Sequence, residues 1–322
     1  MQLDLFKTLW GHEGTVEEAA LLAVDAGFAG IEAPAPQEDA ALDAFASVLA
    51  AHNLDYVAEI CTTGSYVPDR NATPDEHLVS LESKIERSLL LKPRFCNVMG
   101  GCDAWPLDVQ IDFFRRAHAL AEKHGVLCSF ETHRGRSFFN PWVTRDVLRA
   151  LPQLRITCDF SHWVVVCERL MDSEMDTIIE VAEQAHHIHS RVGYDQGPQV
   201  PHPRAPEYAE ALASHERCWD AIWDAQARQG YQTTTMTPEF GPDGYLHKLP
   251  FTGMPIADLW EMNRWVALRQ RDRFLDSHAV ILAKAGIQAV SRPTPQPAPK
   301  TDPAAATPPS DSSPTDPRLA CR

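Results

Sequence analysis

Four short segments of the 322-residue chain end in side chains that bind metals: Phe130-Glu131, Cys158-Asp159, His187-Ile188-His189 and Pro238-Glu239. Each closes a short apolar, β-prone run. One Glu, Asp or His at a strand end is more often a surface or capping residue than a ligand. Two Glu, one Asp and one His together form a mixed oxygen and nitrogen set suited to one divalent cation, with Mn2+ the expected ion and Mg2+, Co2+ or Zn2+ the alternatives. Such a cation, chelated by adjacent carbonyl and hydroxyl oxygens, polarises the C=O and stabilises the enediolate formed when the neighbouring C–H is lost. The chemistry on offer is proton abstraction next to a carbonyl, with carboxylates to remove and return the proton.

These residues need a scaffold that gathers strand ends. Apolar runs at 2–6, 29–33, 54–59, 94–98, 126–131, 154–159, 185–190 and 232–239 predict eight strands. Amphipathic segments at 15–26, 38–52, 75–91, 107–124, 143–150, 174–184, 206–229 and 256–286 predict the helices between and after them. In the second of these, Ala41, Leu42, Phe45, Val48 and Leu49 fall on one face at steps of three and four. Strands joined through helices pair in parallel, and eight such units close into an α/β (β/α)8 TIM barrel whose C-terminal strand ends share one mouth. An open doubly wound sheet is disfavoured, because no G-x-G-x-x-G turn follows the first strand. Helix punctuation agrees: Thr15 with Glu18 predicts a capping box, Gly27 a left-handed terminator, Pro74 a helix start and Gly125 a helix end.

Composition limits the partners. No stretch approaches the roughly 20 apolar residues needed to cross a bilayer, so no membrane role is expected. The start, MQLDLFKTLW, does not read as a secretory signal, and cytoplasm is the expected location. The eight cysteines form no C-x-x-C pair and read as buried free thiols. Net charge is −15; setting aside residues 291–322, with four basic and three acidic side chains, leaves 25 basic against 41 acidic, or −16. Such a body repels phosphate backbones, so nucleic acid is not an expected partner. Residues 1–288 read as the barrel. Residues 289–322, whose part from 291 holds 9 of the 25 prolines, read as a disordered Pro-rich tail.

The contexts SFETHRGR, TCDFSHW, HHIHSRVG and TPEFGP resemble those of the xylose isomerase-like TIM barrels, specifically the sugar phosphate isomerase/epimerase family that includes ketose 3-epimerases. The resemblance implies one divalent cation held by Glu131, Asp159, His189 and Glu239, with the second histidine of H-x-H, not His187, as the ligand. It implies that Glu131 and Glu239 are also the acid/base pair, that His162, three residues after Asp159, contacts substrate, and that Arg191 does so too. The activity implied is isomerisation or epimerisation of a small-molecule keto sugar through an enediolate. The alternative is a lyase on an oxidised glycoside using the same site. The chain departs from the ketose epimerases after His189, where RVGYDQGPQVPHPRAPEY forms a long Pro-rich connection. Apurinic-site endonucleases share the barrel, but the −16 body argues against that activity; a sugar-binding barrel without turnover is a further alternative, and a homo-oligomer is left open.

Other side chains sit where a mouth would form. Glu59 ends the third strand and could bond a substrate hydroxyl; Lys7, after the first, points by position to the same mouth as a substrate contact or else is a surface lysine; His133, Arg134 and Arg136 crowd the loop behind Glu131, where they bind a carboxylate or phosphate of the substrate or neutralise nearby acids; His202 and Arg204 lie in the Pro-rich connection, where a lid would be. Trp10, Tyr66, Trp105, Trp142, Trp163 and Phe240 follow strand ends, where sugar rings stack on aromatic faces. No G-x-S-x-G, Walker A or H-E-x-x-H signature is present.

Overall fold

The computed structural model describes residues 1–284 apart from Asp243. Eight strands, β1 (Gln2–Thr8), β2 (Gly30–Ala33), β3 (Asp55–Cys61), β4 (Cys96–Met99), β5 (Cys128–Glu131), β6 (Arg155–Cys158), β7 (Ala185–His189) and β8 (Thr233–Thr237), form a closed barrel in that order, every neighbour parallel and β8 returning to β1. Around it run α1 (Val16–Asp25), α2 (Asp39–His52), α3 (Pro74–Leu89), α4 (Leu107–His124), α5 (Pro141–Ala150), α6 (Phe160–Cys167), α7 (Met175–Ala182), α8 (Ala209–Arg228) and α9 (Leu259–Lys284). The TIM barrel expected from the alternation is the fold observed; the expected Pro-rich tail lies outside the described residues.

Local chemistry explains the boundaries. Thr15 and Thr73 each accept a hydrogen bond from the amide of Glu18 or Glu76, whose carboxylate in turn accepts one from the Thr amide, so α1 and α3 both open on capping boxes. α4 stops at Gly125, φ +64°, a conformation L side chains avoid. Two differences from the sequence expectation have physical causes. FSHWVVVC, rich in β-branched residues, forms the unexpected helix α6 because Asp159 caps it and its whole first turn is buried. β8 ends at Thr237, two residues before Glu239, because Pro238 has no amide to continue the ladder.

The barrel interior is layered. Phe6, Val57 and Phe95 plug its lower end as a small apolar cluster apart from the main helix–barrel core. Gly30 pairs with Phe6 across β1 and β2, and a Cβ there would collide with the Phe6 ring and the Asp55 carbonyl. A register irregularity between β6 and β7 skips His186, so His187 and His189 lie opposite Thr235 and Thr237 of β8. The His187 ring rests on Phe6 and Phe95, and polar side chains occupy the layers above. Among the described residues no helix is long and apolar enough to cross a membrane, and the seven cysteines described are free.

Candidate metal centre and its cavity

Glu131 is the last residue of β5, and Asp159 follows β6 directly as the N-cap of α6. Capping occupies Asp159 Oδ1, which accepts the Ser161 amide at 2.9 Å and hydroxyl at 2.5 Å, and leaves Oδ2 directed elsewhere. His189 ends β7. Glu239 is carried past β8 on a segment pinned by Asn263 of α9, which accepts from the Phe240 amide at 2.7 Å and donates to its carbonyl at 2.9 Å. Glu131, Asp159, His189 and Glu239 are all buried, and one ligand atom from each lies within 4.8 Å of those of the other three.

The donor set fits a cation. Glu131 sits well above the ordinary carboxylate range because burial penalises its charge, with Glu239 and Asp159 adding repulsion against the opposing pull of His189. Burial likewise pushes Asp159 up, against Arg191. Arg191, itself buried, faces this group with Nη2 2.5 Å from Asp159 Oδ2 and Nη1 3.7 Å from Glu239 Oε2. One guanidinium and one imidazole thus face three buried carboxylates, an excess of negative charge that a divalent cation would neutralise. His189 presents Nδ1, which makes no aligned hydrogen bond, 3.0 Å from Glu239 Oε2 and 3.8 Å from Glu131 Oε1. Carboxylates and an imidazole at this spacing suit Mn2+, Mg2+, Co2+ or Zn2+.

Behind the quartet lies a second buried layer. His189 Nε2 is 3.0 Å from Glu32 Oε1, at the upper end of β2, and Glu32 Oε2 accepts from the Thr237 hydroxyl at 2.5 Å. His187 lies 3.3 Å from the same oxygen and 2.7 Å from Thr235 Oγ1. Burial would raise the Glu32 pKa, yet His189 and His187 together hold it below the ordinary carboxylate range. Asn97 of β4 donates to Glu131 Oε2 at 2.8 Å. Neither Glu32 nor Asn97 was singled out from the sequence. Glu32 lies one residue before the end of β2, close to the position Glu131 holds in β5, and that signal could have found it; Asn97 carries none.

A cavity of about 470 Å3 opens on the quartet, lined on that side by Glu131, Glu239, Arg191 and His133. A family model described as xylose isomerase-like TIM barrel matches residues 20–228. The chain belongs to that family. No curated protein matches it in sequence. Among solved structures, this xylose isomerase-like barrel is similar to an L-ribulose 3-epimerase (14% identity, 91% of this chain and 100% of that chain covered, TM-score 0.56). It is also similar to the 3-keto-D-glucoside 4-epimerase from E. coli (13%, 84% and 99%, 0.54) and endonuclease IV from Thermus thermophilus (15%, 86% and 100%, 0.53). At these identities the likeness concerns fold, and the fold serves epimerases and a nuclease alike.

Within this xylose isomerase-like barrel the remaining sequence candidates divide. Glu59 lines the cavity, its pKa raised to about 8 by burial and by Glu239 and Glu32. Trp10 and Tyr66 also line it, with Tyr245, which the sequence did not flag, edge-on to Trp10 at 5.2 Å. Arg191 lines it too.

Lys7 is a correction. Strand alternation turns Phe6 into the barrel and Lys7 outward, where its ammonium sits 4.8 Å from the Trp260 ring and burial lowers its pKa to about 8. His162 is fully buried and does not line the cavity; its ring lies tilted against His133 at 3.9 Å and accepts from Arg191 Nη2 at 2.6 Å. Arg136 donates to the carbonyls of Thr63, Ser65 and Tyr66, tying down the loop after β3. His202 and Arg204 stay outside the cavity, Arg204 lying 5.9 Å from the Trp265 ring. Trp105, Trp163 and Phe240 are packing residues, and Trp142 bonds Glu174 on the surface.

Proposed function

We propose that this chain is a divalent-metal-dependent isomerase or epimerase that removes and returns a proton next to the ketone of a small sugar. The observation that carries the reading is the pair of carboxylates Glu131 and Glu239, which belong to one ligand cluster and line one cavity. Glu131, Asp159, His189 Nδ1 and Glu239 would hold the cation, which when bound supplies Lewis acidity to adjacent carbonyl and hydroxyl oxygens.

The chain's own residues do the rest. One of Glu131 and Glu239 takes the proton from the carbon beside the carbonyl, and the other delivers one to the opposite face for epimerisation. Arg191, with its charge stabilised by Asp159 and Glu239 despite burial, offers N–H donors to a developing oxyanion. Glu59, held protonated near neutrality by burial, can donate a hydrogen bond to a substrate hydroxyl. The −16 body weighs against the nuclease activity found elsewhere on this fold.

The test is a panel of keto sugars incubated in D2O with Mn2+-saturated protein. Deuterium entering beside the carbonyl, with the carbon framework and substituents retained, is expected. Loss of a substituent would transfer the site to the lyase alternative, and no exchange with any keto sugar would overturn proton abstraction.

A further inference from the structure

The cavity is larger than a monosaccharide requires, and the surplus is chemically unlike the quartet. At about 470 Å3 it falls within the roughly 300–1,000 Å3 of pockets that take drug-sized ligands, whereas a hexose has only about a dozen closely bonded heavy atoms. Groups able to handle sugar oxygens, Glu131, Glu239, Arg191 and Glu59, are gathered towards the ends of β3, β5, β7 and β8. The apolar part of the remaining wall comes from Pro34 and Ala35 after β2, Ile60 of β3, Met99 of β4 and the ring of Tyr66, alongside polar Gln37, Ser65 and Ser88. Its apolar stretch gains little from a hydroxyl-rich ligand and much from an apolar one.

Its cations are not set for a phosphate. Arg87 at the rim donates Nε to the Pro36 carbonyl at 2.9 Å and Nη2 to the Gln37 carbonyl at 2.7 Å, and pairs Nη1 with Asp39 at 2.7 Å. Lys84 donates to the Cys61 carbonyl at 2.5 Å. The guanidinium fork that would grip a phosphate is spent on fixing the loop after β2.

We propose that this part of the cavity is a subsite for a bulky apolar group carried by the sugar, so that the substrate is a keto-glycoside with an aryl or alkyl aglycone and not a free or phosphorylated ketose. The proposal rests on reading the quartet as a site of keto-sugar chemistry. The aglycone lies against Ala35, Ile60, Met99 and Tyr66 while the sugar ring faces Glu131 and Glu239.

The experiment compares the phenyl and methyl glycosides of one keto-hexose, and the same hexose as its phosphate ester, on the full-length Mn2+-loaded protein. Burying the phenyl ring raises kcat/KM over the methyl glycoside by about 30- to 100-fold, from the burial of apolar area. Tyr66→Ala, in an exposed loop, and Ala35→Trp, which fills the wall, each cut that ratio at least tenfold; should Ala35→Trp fail to fold, Tyr66→Ala carries the test. Equal kcat/KM for phenyl and methyl, or preference for the phosphate, overturns the subsite. Should no glycoside turn over, the proposed reaction falls while the subsite is still read by calorimetry: tighter binding of phenyl than methyl glycoside, lost in Tyr66→Ala, supports it, and equal binding overturns it.

Discussion

At the barrel mouth, β5 to β8 end in or beside Glu131, Asp159, His189 and Glu239, while β2 to β4 contribute Pro34, Ala35, Ile60 and Met99 to the same cavity. Glutamates on β2, β3 and β5 look alike in sequence, and their surroundings set them apart. Glu32 faces two imidazoles and is drawn below the ordinary carboxylate range. Glu59 has burial and two like charges as its largest influences and rises to about 8. Glu131, among other acids, is pushed well above its usual value. Whether a barrel carboxylate favours its charged or its neutral form thus depends on burial and on what faces it across the barrel.

The most severe way to break this division is to remove a carboxylate from the reacting half. Glu131→Gln and Glu239→Gln should each lower kcat at least about 10³-fold, as expected when a general acid or base is lost from a two-base site. The metal-free Glu131→Gln protein should melt no lower than wild type, because burial and neighbouring acids already disfavour the Glu131 charge. Wild-type turnover in either variant would remove that residue from the mechanism.

A subtler break tests whether Glu32 belongs to the reacting half although it comes from β2. Its Oε1, 3.0 Å from His189 Nε2, fixes the imidazole with Nδ1 towards the other three ligands. Glu32→Gln should weaken Mn2+ binding about 10- to 100-fold, the usual cost of losing a carboxylate behind a metal-binding histidine. Excess Mn2+ should restore most of the turnover. Glu59→Gln, in the same half of the barrel, should leave Mn2+ affinity within a few-fold of wild type. Isothermal titration with Mn2+ decides the matter, and equal affinities for wild type and Glu32→Gln would detach Glu32 from His189.

The same division explains what could be read from the sequence. Alternating strand and helix patterns pointed to the barrel, and the four ligand candidates stood at strand ends where parallel topology brings them together. Lys7 was misread because strand parity, not nearness to a strand end, decides which side chains enter the barrel, and the inward parity of β1 belongs to Phe6. His162 has the spacing of a substrate contact, but the Arg191 guanidinium lies between it and Glu239. Tyr245 and Asn97 reach the site through tertiary packing, which no local pattern encodes.

The apolar half has its own anchor, and acid should loosen it first at the loop after β3. His77 of α3 bonds the hydroxyls of Thr62 and Thr63 at the start of that loop, while Arg136 holds the carbonyls of Thr63, Ser65 and Tyr66. Burial, reinforced by Arg136, lowers the His77 pKa from 6.5 to about 4. Its imidazole is therefore neutral in the folded chain and takes up a proton on unfolding between those values. The stability it contributes is complete above pH 6.5 and is lost as pH falls towards 4. Replacing it by His77→Phe should flatten the dependence of urea stability on pH in that window by up to one proton, about 1.4 kcal/mol per pH unit. The absolute stability also changes, since Thr62 and Thr63 lose their partner, so the slope is the quantity to compare. Parallel slopes for the two proteins would mean that His77 titrates normally and that acid reaches this wall by another route.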